Sequence, residues 1–258
     1  MSSFVLSDEI LAIYVPILVY WLYSSFYMIL GSTKKYRLHS YEEEDQKNLV
    51  SKREAIKGVL LQQIVQVIVA FLMFKVSSNH GSSTPTSSTP IIKLAKQFTI
   101  AALVFDAWQY FMHRYMHHNR FLYKHVHSYH HRLVAPYAFA SQYNHPLEGL
   151  LLDTLGGAVS FVVSGMSPRA SVFFFSFTTI RGIDVHCGLI VPWNPLHVLF
   201  GDQTVHHDMH HQLYGTKYNF SQPFFTFWDR MLGTHMDCTV EKRLGGGFQA
   251  RPVKSLKS

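Results

Sequence analysis

The sequence predicts an all-α fold: a polytopic membrane helical bundle with a histidine-rich helical cap on its cytosolic side. Three observations carry this. Ile10–Leu30 runs for 21 residues without a charge, enough to cross a bilayer as a helix. Charged residues are only 15% of the 258, and aromatic residues are also 15%. Of 17 histidines, seven fall between His113 and His131 and four between His206 and His211. The mean hydropathy is +0.05, the balance of apolar segments against one very polar part.

Taken in order, Ile10–Leu30 is the first span, with a Pro16 that membrane helices tolerate. Residues 31–55 form a basic loop. Gly58–Phe74 is the second span, and its Gln62, Gln63 and Gln66 are expected to face another helix rather than lipid. Ser77–Pro90, rich in Ser, Thr and Pro, reads as a flexible polar loop. Leu94–Met112 forms a third span containing Asp106. Gly149–Met166 and Ala170–Val191 make a hairpin about Ser167-Pro168-Arg169. Arg181 and Asp184 imply that its second arm emerges into a polar site. The expected divisions are an N-terminal membrane region over 1–90, a catalytic region over 91–238 and a basic, flexible tail over 239–258. The N-terminus has neither a positive n-region nor a small-residue cleavage site, so no removable signal peptide is expected.

The formal charge is +7 and the isoelectric point about 9.3. The basic residues flank apolar stretches instead of interleaving with exposed aromatics, which points to anionic lipid headgroups and away from nucleic acid. Two cysteines, Cys187 and Cys238, exclude a disulfide scaffold. Residues 31–55 hold six lysines and arginines, and residues 1–9 and 77–90 hold none. By the positive-inside rule the 31–55 loop is cytosolic. Counting spans onward brings every histidine cluster to that same side. The sequon Asn219-Phe220-Ser221 also falls there and is expected to stay unmodified.

The clusters read His113-Arg-Tyr-Met-His117, His127-Ser-Tyr-His130-His131 and His207-Asp-Met-His210-His211. Spacings of three and four place such rings on one face of a helix. Neutral imidazole is the commonest transition-metal ligand, and eight rings exceed what one four-coordinate zinc can use. Two metal ions are therefore expected. The core ligand set is His113, His117, His127, His130, His131, His207, His210 and His211, with His145 and His186 as additional candidates. His118, His125 and His206 flank ligands on other faces, while His39, His80, His197 and His235 read as ordinary loop histidines. Asp106, Glu148, Asp184, Asp208 and Asp229 are the candidate acceptors that fix ligand tautomers. The clusters contain no Glu-x-x-His, no His-Glu-x-x-His, no serine elbow and no Cys-His pairing. Spacing alone leaves iron, zinc and copper open.

The order His-x-x-x-His, His-x-x-His-His, His-x-x-His-His on a short polytopic chain resembles the fatty acid hydroxylase superfamily of membrane di-iron enzymes. The likeness covers about Phe105 to His235, including His145-Pro146-Leu147-Glu148, His186-Cys187-Gly188 and Phe227-Trp228-Asp229-Arg230-Met231-Leu232-Gly233-Thr234. The N-terminal span, the 31–55 loop and Phe200–His211 are most similar to the plant sphinganine C4-hydroxylase branch. The resemblance implies an endoplasmic reticulum monooxygenase with two iron ions (zinc also fits the donors). It would use O2 to hydroxylate carbon 4 of a long-chain sphingoid base or its ceramide. With no haem-attachment signal, dinucleotide fingerprint or His-Pro-Gly-Gly motif in the chain, electrons are expected from separate cytochrome b5 and its reductase. The cytosolic face offered to that donor would comprise Arg114, Arg120, Lys124, Arg132, Lys217 and Arg230. An oligomer, or a complex with other sphingolipid enzymes, stays open. Sterol C4-methyl oxidation or lipid desaturation on the same scaffold are the nearest alternatives. A membrane metal transporter is disfavoured, because most histidines lie outside the spans.

Overall fold

The computed structural model describes residues 7–78, 90–201 and 203–253. Most of the polar loop expected over 77–90, His80 included, lies outside the described residues. Ser7 caps α1 (Asp8–Leu30), its side chain accepting from the Ile10 N–H, and Asp8 and Glu9 suit the first turn. Leu18, Leu22 and Ile29 stay exposed along it, as a lipid-facing surface would.

The expected 31–55 loop is in part helical. Ser40 and Glu43 form a reciprocal capping box on α2 (Tyr41–Lys47), and Glu44 pairs with Arg37 and Lys52. Along α3 (Lys52–Ser78), Gln63 accepts from Trp21 Nε1 at 3.0 Å and donates to Gln142 at 2.9 Å. The amides therefore do face protein. α4 (Ile91–His118) ends at Asn119, whose side chain accepts from the Phe121 and Leu122 N–H groups. That cap starts α5 (Arg120–His125) and turns the chain back on itself.

α6 (Pro146–Gly149) runs through a wide π turn over Leu150–Thr154 into α7 (Leu155–Ser164). Gly165, at φ +62°, closes α7 in the left-handed region, and Ser167 caps α8 (Pro168–His186). The hairpin about Ser167-Pro168-Arg169 thus stands as expected. α9 (Pro195–Phe200), α10 (Gln203–His211) and α11 (Phe227–Met231) follow.

Among the described residues, three helical stretches are long and apolar enough to cross a bilayer: Asp8–Leu30, Lys52–Lys75 and Pro146–Ser164. α4 and α8 were also expected to span. They form helices of 28 and 19 residues, but Lys96, Gln97, Asp106 and Gln109 in one and Arg181 and Asp184 in the other leave them more polar. Arg181 and Asp184 are fully buried and joined at 2.5 Å. Tyr27 donates to Asp184 at 2.6 Å, while Arg181 donates to Gln203 and to the Pro223 carbonyl. This network ties α1, α8 and α10 together beneath the histidines.

Of the stretch expected as a flexible tail, the described residues 239–253 instead carry a β-hairpin. β1 (Cys238–Lys242) pairs antiparallel with β2 (Phe248–Pro252), and Phe248 packs with Leu38, Val205 and Met209. The hairpin is stapled to the segment after α1 by Phe248 N–H donating to Arg37 O and by Arg243 donating to Leu38 O. It thereby braces the back of α10.

Candidate metal centre

The last turns of α4 carry His113 and His117. The turn at Asn119 brings the second cluster back over them, on a 3₁₀ run from His127 to Arg132. α8 ends on His186, and α10 carries the third cluster, buried along its whole length.

The rings assemble into two groups. His113, His117, His127, His131 and His210 form one; His130, His186, His207 and His211 form the other. Within each group one donor atom per residue lies within 4.8 Å of the rest. The expectation that each cluster presents a single face is revised. The i, i+4 pairs stay together: His113/His117 and His127/His131 in the first group, His207/His211 in the second. The ring at i+3 crosses over, His130 to the second group and His210 to the first. In an α-helix the i+3 position lies about 100° round from i+4, so on α10 one short element serves both groups.

The nitrogens approach closely. His127 Nε2 lies 2.8 Å from His117 Nε2 and 3.1 Å from both His113 and His131 Nε2. His207 Nε2 lies 2.9 Å from His186 and 3.2 Å from His211. Burial pushes the imidazoles of His127, His130, His131, His207, His210 and His211 well below their usual range, and neighbouring rings add to it. These rings are neutral, and His113 and His127, each with an external acceptor at Nδ1, turn two Nε2 lone pairs on each other at 3.1 Å, where they repel. A shared cation removes the repulsion: two nitrogens about 2.1 Å from one ion and at right angles sit about 3 Å apart.

Tautomers are set from outside. His113, His130, His186 and His210 point Nδ1 at the carbonyls of Phe220, Tyr143, Gly182 and Tyr218, at 2.6–3.1 Å. His127 points Nδ1 at Glu148 Oε1, at 2.7 Å. A carbonyl or carboxylate can only accept, so these Nδ1 atoms carry the proton and the Nε2 lone pairs face inward. His210 Nε2 is buried and lacks a partner among the described residues. The donor set fits a pair of transition-metal ions and contains no carboxylate.

Nine of the ten expected metal-binding histidines are thus brought together. His145 stands apart, its Nδ1 accepting from the Leu147 N–H as the cap of α6. Of the five candidate acceptor acids only Glu148 reaches a grouped ring. Asp229 instead holds His206 at 2.9 Å; burial raises its carboxyl, but His206, Thr234 and the Ser221 N–H overcome this and hold it near 2. Asp208 pairs with His39 at 2.8 Å, so His39, though it lies in a loop, is a buried strut and not an ordinary surface histidine. Asp106 accepts from the Phe224 and Phe225 N–H groups. The carbonyl acceptors carry no sequence signal, since any residue supplies one. Asn219 is fully buried and donates to the His206 carbonyl.

A cavity of about 250 Å³ leads away from the second group. His130 and His186 line one end beside Gln109, Asn144, Glu148 and Asp153. Ile13, Ala70, Phe74, Ala158, Phe161 and Phe175 line the other, between α1, α3, α7 and α8. From His186 back to Phe175 is about 16 Å of helix.

Comparison with known proteins gives the same outline. Residues 98–234 match the fatty acid hydroxylase family. The chain is 60% identical to sphinganine C4-monooxygenase 2 of Arabidopsis thaliana, covering 100% of this chain and 99% of that one. It is 55% identical to very-long-chain aldehyde decarbonylase GL1-9 of Oryza sativa subsp. indica, covering 96% of each. It is 40% identical to sphingolipid C4-hydroxylase sur2 of Schizosaccharomyces pombe, covering 86% of each. No solved structure matches.

Proposed function

The chain belongs to the fatty acid hydroxylase family, and from that premise we propose that it is a sphinganine C4-monooxygenase of the endoplasmic reticulum membrane. The observation that carries this reading is the cavity with apolar walls between bilayer-length helices and a floor of grouped imidazoles. A single alkyl chain passing from lipid along that cavity brings a methylene to His130 and His186.

The reading assigns two iron ions to the nine imidazoles. When bound, the metal pair supplies dioxygen activation: one oxygen atom enters a C–H bond at carbon 4 as hydroxyl, and the other leaves as water on receipt of two electrons and two protons. The protein's own part is geometric. Glu148 and four carbonyls hold five of the rings in one tautomer, the apolar arm excludes water, and its length fixes which carbon stops at the metal. Electrons come from cytochrome b5 and its reductase, and the exposed Arg120, Lys124, Lys217 and Arg230 suit an acidic donor. The lysines and arginines of residues 31–55 orient the histidines toward the cytosol.

Aldehyde decarbonylation is the second reading, favoured by the name of the rice relative. The experiment is lipid analysis of cells devoid of trihydroxy long-chain bases that express the chain, with metal analysis of the purified protein. Appearance of 4-hydroxysphinganine and about two iron ions per chain supports the proposal. Alkane one carbon shorter than the supplied aldehyde, or altered methylsterols, without trihydroxy base would replace it.

A further inference from the structure

We infer that Asp153 receives the ammonium group of the substrate, which makes the unacylated long-chain amine, and not its N-acyl form, the ligand this cavity selects. The inference rests on the sphingoid-base reading above.

Asp153 sits on the wide π turn between α6 and α7, inside a stretch apolar enough to cross a membrane. Such turns recur at functional sites, and an acid within an apolar span is retained only where something answers its charge. Two neutral amides touch it: Gln109 Nε2 donates to Oδ1 at 3.3 Å and Asn144 Nδ2 to Oδ2 at 3.4 Å. Both distances exceed the usual N–H···O range of 2.7–3.2 Å. The residue keeps some accessible surface and lines the same cavity as His130 and His186.

No lysine or arginine lines that cavity among the described residues; its charged groups are Glu148 and Asp153. Glu148 is engaged with His127. Burial disfavours a charge on Asp153 with only weak neutral donors, and a cation arriving in the cavity stabilises its carboxylate form. An ammonium group has three donors and no acceptor and forms the stronger, charge-assisted bonds.

The chemistry of a long-chain base supplies that cation where it is needed. Its amine is on carbon 2, two carbons from the reacting carbon. With carbon 4 at the histidines the amine must lie close to them and the tail must fill the apolar arm. A metal pair repels a nearby ammonium, and an Asp153 carboxylate in the same cavity offsets that repulsion. N-acylation removes the charge and adds a second chain to be housed.

The test uses the full-length, metal-loaded protein in nanodiscs as wild type, Asp153→Asn and Asp153→Glu. Hydroxylation kinetics are measured with sphinganine, and N-acetylsphinganine serves as an uncharged competitor. Equilibrium binding of both lipids and metal content are measured in parallel. The wild type should bind sphinganine at least tenfold tighter than the N-acetyl form. In Asp153→Asn the KM and Kd for sphinganine should rise at least tenfold. Metal content and N-acetylsphinganine binding should hold within twofold, and Asp153→Glu should restore part of the preference. Equal weakening of both lipids, loss of metal, or a wild type indifferent to acylation overturns the assignment. A wild type that binds sphinganine selectively without making trihydroxy base would instead refute the functional reading and leave Asp153 as the amine site.

Discussion

Glu148→Gln is the sharpest probe of how the metal centre is held. Glu148 is 2% exposed, and its Oε1 accepts the hydrogen bond of the His127 Nδ1–H at 2.7 Å. Glutamine keeps the shape and an acceptor oxygen but removes the charge. A hydrogen bond to a charged group contributes about 1.5–3 kcal/mol against about 1 kcal/mol for a neutral pair. The difference, about 0.5–2 kcal/mol, corresponds to roughly 2- to 30-fold at 1.4 kcal/mol per decade. Partners of metal-ligating histidines generally contribute about 10–100-fold. Glu148→Ala, which leaves the Nδ1–H without an acceptor, should lie at the upper end of that range. Titration of metal-loaded protein with a chelator, read by metal content and by thermal unfolding, measures the effect without reference to turnover. Retention of wild-type affinity within twofold in both variants would refute the argument that the carboxylate tunes His127.

His127→Ala, His131→Ala or His210→Ala should each abolish hydroxylation, with membrane insertion intact by protease protection. By contrast, His145→Ala should keep its full metal content and lose about 1 kcal/mol of stability, the usual effect of a deleted cap, seen in thermal melts. Asp184→Ala should destabilise the fold by about 3–5 kcal/mol, because it strands a buried Arg181; denaturation in mild detergent reads this. Ala158→Phe should block the apolar arm, lowering turnover of a long-chain base more than tenfold while metal analysis stays unchanged; undiminished turnover would show that the chain takes another route.

The membrane helices and the histidines were legible because both depend on spacing along the chain. A 21-residue charge-free run and rings at i and i+4 are local facts. Which ring joins which group is not local: His186 meets His130 across 56 positions, and His113 finds its carbonyl 107 positions away. The buried pairing of His39 with Asp208 spans 169 positions, which no pattern in a single chain encodes. Two further features carry local signals. Ser40-x-x-Glu43 is a capping-box motif and marks the start of α2. Gly245-Gly246-Gly247 between short β-prone stretches is hairpin punctuation and marks β1 and β2. Asp153, an acid inside an apolar run, is a third.

Because His130 and His210 each leave their own cluster to serve the opposite group, the two halves of the centre are interlocked. Filling one half stiffens the backbone that presents a ring to the other, so the second ion should enter more readily than the first. Singly loaded protein should then be scarce at every metal concentration. A cell short of the metal would hold a mixture of complete and empty enzyme, and its hydroxylation capacity would fall in whole molecules.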